Sequence, residues 1–350
     1  MLARFDQVKP HPLAKGWHTQ RESPWLFIDG CSQIWPDADF DQLHLHTPTA
    51  YLVTSFRPQA GFESAVDSVC DWWRVARTYP TVRLALTARD IEEAKQNRQA
   101  AIIIGSQGGD FIGQSLHRLE VMHRLGLRVM IPAYNERNTL CEGVLEPDNA
   151  GLSKLGRKWV AECNRLGMLI DLTHTGERST FEIMDLAQQP LAFTHCNPKK
   201  MVNHPRNITD EQMKRCAALG GVVGVTNWGP LNFAPDATTR PTLGMFLDAV
   251  AYVADLIGAD RVSIGTDMSH GTYPDGDLVR GKLGSITGDR YTQLIDSSPR
   301  SRLRAVEGFD DLGQLPDVAE AMMGRGFSKA EVEGILGGNL LRLFRTVWGE

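Results

Sequence analysis

Short, nearly unbroken apolar runs recur along the chain. Each is followed by a polar loop and then, in most cases, by a segment whose apolar positions repeat at helical spacing. The runs fall at 25–31, 51–56, 101–106, 128–133, 168–173, 190–195, 222–227 and 261–266. Ala101-Ile102-Ile103-Ile104 and Met168-Leu169-Ile170-Asp171-Leu172 are typical. Runs without alternation suit parallel strands covered on both faces. The helical spacing predicts helices over 63–78, 115–125, 152–167, 177–188, 208–219 and 243–257. Thr209-Asp210-Glu211 and Pro241-Thr242 supply start signals for two of them. Eight strands alternating with helices predict an α/β fold of the (β/α)8 TIM-barrel type. A doubly wound open sheet competes with it, but no strand runs into a G-x-G-x-x-G turn. Two further helices are expected at 315–326 and 328–347, the second opened by a capping box of Ser328 and Glu331. They should brace the barrel base or a partner subunit. The expectation is one barrel domain over 1–350, with the helices of 315–347 packed on it.

Composition narrows the function. The 350 residues are 42% hydrophobic and 23% charged, which is ordinary for a globular protein. A net charge of −5 offers no basic field for nucleic acid or an anionic membrane. No stretch approaches the roughly 20 apolar residues that span a bilayer. The first thirty residues hold no long apolar run, so no signal peptide is expected. The six cysteines, at 31, 70, 141, 163, 196 and 216, form no C-x-x-C pair. Together with the missing leader, this points to reduced thiols and a cytoplasmic location.

In such a barrel the catalytic groups come from the C-terminal ends of several strands. Cys31 and Gln33 stand there on the first strand, on the same side of the chain by alternation. Gln107 ends the third, Tyr134 and Asn135 the fourth, His174 the fifth, His195 the sixth, Asn227 the seventh and Asp267 the eighth. Two imidazoles and a carboxylate converging there suit Zn2+ or another divalent ion. An aspartate beside the ion can take a proton from water and pass it to a leaving amine.

Several blocks carry a closer likeness. They are Gly151-Leu152-Ser153-Lys154-Leu155-Gly156, Asn164 through His174, Phe193-Thr194-His195, His204-Pro205-Arg206-Asn207-Ile208-Thr209-Asp210, Gly220-Gly221-Val222-Val223 and Ile264-Gly265-Thr266-Asp267. In this order, over roughly residues 25–340, the chain resembles the membrane dipeptidase family, peptidase family M19. The resemblance implies a barrel with two zinc ions that hydrolyses dipeptides. It implies that His174 and His195 ligate the second ion, that Asp267 handles protons and that Arg206 grips the substrate carboxylate.

The first-ion positions depart from the family pattern. Its strand-one H-x-D reads Cys31-Ser32-Gln33 here, its bridging Glu reads Gln107, and the His after strand four reads Tyr134. Two divalent ions about 3.5 Å apart repel strongly, and neutral amides do not offset that repulsion. One ion per chain is therefore expected, with Gln107, Cys31 and Gln33 as further candidate ligands. The expected enzyme is a metallo-dipeptidase or amidohydrolase acting on a small, dipeptide-like amide with a free carboxylate. Asp267 is its general base, Tyr134 an oxyanion donor, and Arg206, Asn135 and Asn227 bind substrate. No nucleic acid or membrane partner is expected; a homodimer is compatible with the exposed helices. One alternative makes Cys31 a nucleophile. The other is a catalytically silent relative that binds a small carboxylate ligand. Lesser candidates are His44 and His46 as replacement ligands, His270 and Asp110 as pocket groups, and the segment 268–300 as a lid. His117 and His123 are expected at the surface.

Overall fold

The computed structural model describes residues 18–21, 23–234, 237–271 and 304–349. The strands run β1 (Ile28–Ile34), β2 (Ala50–Thr54), β3 (Val82–Leu84), β4 (Ala100–Ser106) and β5 (Val129–Met130), then β6 (Leu169–Ile170), β7 (Ala192–Cys196), β8 (Val222–Val225), β9 (Val262–Ile264) and β10 (Met268–His270). All named pairings are parallel: β10-β1-β2-β4-β5-β6 form one sheet, with β3 beside β4, and β7-β8-β9 form another. Two joints close the ring. The Leu172 amide donates to Ala192 O at 2.8 Å between β6 and β7, and the Asp267 amide donates to Cys31 O at 2.8 Å between the last strand and the first. Setting β3 aside, and taking β10 as the continuation of β9, the ring has the eight strands expected.

The differences from expectation are local. β3 and the helix Ala88–Gln96 escape the hydrophobic pattern because they are short and the helix shows mostly charge. Thr87 and Asp90 nevertheless close a capping box at its start. The fourth and fifth barrel strands shrink to two residues each. Pro132, which has no N–H, follows one of them. After the other, Asp171 diverts the chain by accepting the Thr173 amide at 3.0 Å. The six predicted helices stand within two residues of their expected bounds, from Phe62–Thr78 to Leu243–Ile257.

The tail splits further than expected, into Leu315–Gly324, Lys329–Glu333, a π turn at Gly334–Gly338 and a helix Asn339–Trp348. Gly337 lies so close to the entry of β1 that a Cβ would stand 2.4 Å from Leu26 O. The last helix then fills the N-terminal mouth of the barrel. Its Leu340, Leu341, Leu343, Phe344 and Val347 share one buried cluster with Ile28, Ala50, Ile103, Val129, Leu169, Ala192 and Val222. A larger apolar cluster, including Tyr51, Ile102, Met130, Phe193 and Ile264, holds strands to helices. With the base plugged, the strands' C-terminal ends are left for chemistry. Among the described residues, no helix is long and apolar enough to cross a membrane. The expected lid falls mostly on 272–300, outside the described residues.

Candidate functional site

The strand ends bring most of the predicted residues together. Three of them, Asn135, His174 and Asp267, adopt left-handed backbone with φ of 64°, 66° and 54°. Non-glycine residues rarely do so, and such strain collects at sites where the surroundings dictate direction. The surroundings are visible. The segment after Asn138 returns to hold both turns: Val144 N donates to His174 O and Leu145 N to Asn135 O, each at 2.8 Å. Gly143 is required there, since a Cβ would stand 2.1 Å from the Asn135 carbonyl carbon. On the far side, the Asp267 amide is tied to β1.

His174 and His195 face each other, Nε2 to Nε2, at 3.1 Å. Each other ring nitrogen has a partner. His174 Nδ1 lies 2.7 Å from Asn135 Oδ1, and His195 Nδ1 lies 2.8 Å from Thr194 Oγ1. Thr194 Oγ1 in turn donates to Asp171 Oδ2. Burial pushes both imidazoles well below their ordinary range, with the Arg206 charge acting the same way. Both rings are thus neutral. Tyr134 stacks on His174 with ring centres 4.1 Å apart.

Arg206 is buried, and its Nε and Nη1 have no partner among the described residues. Its charge is felt by His174, His195 and Asp267. A buried guanidinium with unused donors is costly unless an anion meets it. Burial lowers its pKa, yet an arginine keeps its charge at any ordinary pH.

The first-ion positions form a closed network. Gln33 Nε2 donates to Asp267 Oδ1 at 2.9 Å and to Thr54 Oγ1 at 3.1 Å. Gln107 Nε2 lies 3.2 Å from Cys31 Sγ, which is 3.5 Å from Asp267 Oδ1. Burial pushes the Cys31 thiol well up, and the carboxylates of Asp267, Asp29 and Asp171 push it further. Both effects disfavour the thiolate in this network and so weaken the nucleophile alternative. Burial raises Asp267 as well; Gln33, Arg304 and Arg206 oppose the rise.

On the side of the imidazoles, donor type and spacing suit an ion. Two nitrogens bound to one tetrahedral zinc at about 2.0–2.1 Å stand roughly 3.3 Å apart, close to what the imidazoles show. Among the described residues, no group of three or more His, Cys, Asp or Glu is arranged to hold a metal. The imidazole pair would need Gln107, another oxygen or water to complete its shell.

Other expectations shift. Asn135 spends its carbonyl oxygen on His174, and Asn227 is fully buried with its Nδ2 donating to Phe309 O at 2.6 Å. The Asn227 Oδ1 has no partner among the described residues. His46 and His270 pack with His18, ring centres 4.6–5.5 Å apart, instead of joining Cys31 and Gln107. Asp110 accepts from Asn138 Nδ2 at 3.3 Å. His117 is exposed, but His123 is half-buried. Two partners went unread, Thr194 and Asp29. The latter is buried, its carboxyl pushed up to about 6 by burial despite hydrogen bonds from Ser32, Thr266 and Cys31.

An eight-stranded parallel ring with paired imidazoles at its strand ends defines an amidohydrolase-like barrel. More particularly, residues 41–278 match the membrane dipeptidase (peptidase family M19) model, and the chain belongs to that family. An amidohydrolase from Pseudomonas aeruginosa superposes with a TM-score of 0.82 at 28% identity, over 93% of this chain and 97% of that one. A metallo peptidase from Rhodobacter sphaeroides, solved with a phosphinate mimic of the dipeptide L-Ala-D-Ala, shares the fold at TM-score 0.68 and 22% identity, over 89% and 82% of the two chains. Dipeptidase tcpJ of Claviceps purpurea (strain 20.1) is 28% identical over 76% of this chain and 55% of its own. Dipeptidase 3 of Mus musculus is 26% identical over 85% of this chain and 54% of its own. The chain thus spans about half the length of these two curated relatives.

Proposed function

We propose that this protein hydrolyses the amide bond of a dipeptide or similar small amide with a free carboxylate, using one divalent ion, zinc or a like metal. The observation that carries the reading is the imidazole pair beside a buried arginine with unused donors. His174 and His195 would hold the ion, with Gln107 a neutral oxygen donor on the cavity wall shared with His195. Bound between His174 and His195, such an ion would supply Lewis acidity to the scissile carbonyl and to water. Arg206 receives the substrate carboxylate on its planar fork and so fixes the direction of the amide. Asp267, held by Gln33 Nε2 and its own tied backbone, takes the proton from water and returns it to the leaving amine. Tyr134 orients His174 by stacking and offers its hydroxyl to the developing oxyanion. The free thiols and the absence of a spanning helix among the described residues are compatible with a cytoplasmic protein. One domain over 1–350 and a homodimer complete the reading.

The second reading is a silent relative that binds a small carboxylate ligand. The closed Cys31–Gln33–Gln107–Asp267 network favours it, because Asp267 is already engaged. The deciding experiment is metal content by elemental mass spectrometry, followed by a panel of dipeptides and N-acyl amino acids with zinc supplied. About one ion per chain and turnover of the panel are expected. Metal binding without turnover would select the silent relative, and no metal even with zinc added would remove the hydrolytic reading.

A further inference from the structure

The atoms behind the imidazole pair determine which ring nitrogens carry protons. Asp171 Oδ1 accepts from the Thr173 amide at 3.0 Å, the Thr173 hydroxyl at 2.6 Å and the Thr194 amide at 3.1 Å. Its Oδ2 accepts from the Thr194 hydroxyl. With four donors directed at it the Asp171 carboxyl acts as the acceptor of this network, the hydrogen bonds from Thr173 and Thr194 opposing the rise that burial imposes on its pKa. Thr194 has then spent its only proton on Asp171, and its oxygen can only accept from His195. So the proton of His195 is on Nδ1. Asn135 Oδ1, an acceptor with no proton to give, likewise draws the proton of His174 to Nδ1. Both Nε2 atoms are left with bare electron pairs 3.1 Å apart. Two lone pairs at that distance repel unless a cation lies between them.

We propose that Thr194, backed by the Asp171 carboxylate, and Asn135 are positioning residues that lock His195 and His174 in the tautomers whose Nε2 electron pairs meet at one point, as a divalent cation requires. The inference rests on the one-ion reading above and names the residues of this chain that prepare the site. Partners of this kind fix ring orientation and raise ligand basicity, and losing one typically costs about 10–100-fold in metal affinity. Thr194→Val keeps the shape and removes the acceptor. Asn135→Gly removes the amide at a position whose left-handed backbone suits glycine.

The test is competitive titration of the full chain, stripped of metal, with Zn2+ against a chromophoric chelator, alongside melting of the metal-free proteins. Thr194→Val and Asn135→Gly should each weaken Zn2+ binding by about 10-fold or more, and Thr194→Ser, which keeps the hydroxyl, should stay close to wild type. A purely structural role would lower the melting temperature and leave the zinc affinity unchanged. Variants that bind Zn2+ within about twofold of a zinc-binding wild type overturn the proposal. A wild type that binds no Zn2+ overturns the one-ion reading beneath it. Should Thr194→Val fail to fold, Asn135→Gly decides alone.

Discussion

The two halves of the strand-end site answer the same geometric problem in opposite ways. On the side of β6 and β7, every hydrogen bond behind the imidazoles points their electron pairs inward, to an unmet need. On the side of β1 and β4, Gln33, Gln107 and Cys31 use their donors on each other and on Asp267. The first half is arranged toward a cation, as proposed above, and the second is closed by hydrogen bonds onto the Asp267 carboxyl group. The two halves keep separate supporting partners, Asn135 and Thr194 behind the imidazoles and Thr54 and Asp267 around the Gln33 amide, so one can change without the other.

The largest effect should come from His195→Ala. It removes half of the imidazole pair, so bound zinc should disappear and hydrolysis should fall roughly a thousandfold. Metal content and kcat/KM check this together, and full activity without His195 would end the metal mechanism. Next, Arg206→Ala should raise KM by about 10–100-fold for substrates with a free carboxylate and far less for their amides. Equal KM values for acid and amide would remove Arg206 from the carboxylate role. The comparison itself is sharpened by a restoration. A triple variant, Cys31→His, Gln33→Asp and Gln107→Glu, gives the neutral half the family's ligand types and should raise zinc from about one to about two per chain. A count unchanged at one would show that more than the ligands was lost. Tyr134→Phe, which keeps the stack and removes the hydroxyl, should lower kcat by about 10-fold. Unchanged kcat would leave Tyr134 only its stack on His174.

The smallest effect lies outside the site. His46 is held down at about 3, first by burial and then by His18, and His270 lies well below its ordinary range for the same reasons. Their folded pKa values are below the unfolded value near 6.5. Their contribution to stability is therefore complete above that pH and is lost as pH falls toward 3. The groups around them are His18, His44, Tyr51 and Asp311, and only Asp311 pulls the His46 pKa back up. Melting curves between pH 7 and 4 should show His46→Phe losing less than wild type, by roughly 2–4 °C. Parallel curves would mean that the cluster does not govern acid stability.

The sequence carried the ring of strands because a strand covered on both faces must be apolar along its whole length, as Ile102-Ile103-Ile104 is. It carried His174, His195 and Arg206 because each stands in a compact local block. What it could not carry were relations across the fold. Thr194 reads as an ordinary β-branched strand residue until Asp171, 23 positions earlier, is seen beneath it. Asp29 looks like a turn residue until Thr266, 237 positions away, donates to it. His18 meets the carbonyl of Ser269 across 251 positions, so the histidine cluster has no local signature at all. Asn135 stands at a strand end as a candidate ligand contact, and its bond to His174 Nδ1, 39 positions away, could not be read from the sequence.

The plug at the barrel base bears on the order in which the chain can become a protein. Ile28 on β1 and Leu340, Leu341 and Phe344 near the other end of the chain share one apolar interior. During synthesis the first strand leaves the ribosome more than three hundred residues before its inner face can be covered. Until residues 339–348 arrive, the ring is a sleeve open at its lower mouth, with the interior faces of its strands reachable by water. Pulse proteolysis of chains arrested before and after that helix would show it: protection of β1 should appear only in the longer chains. The last helix is thus the element that seals the barrel base.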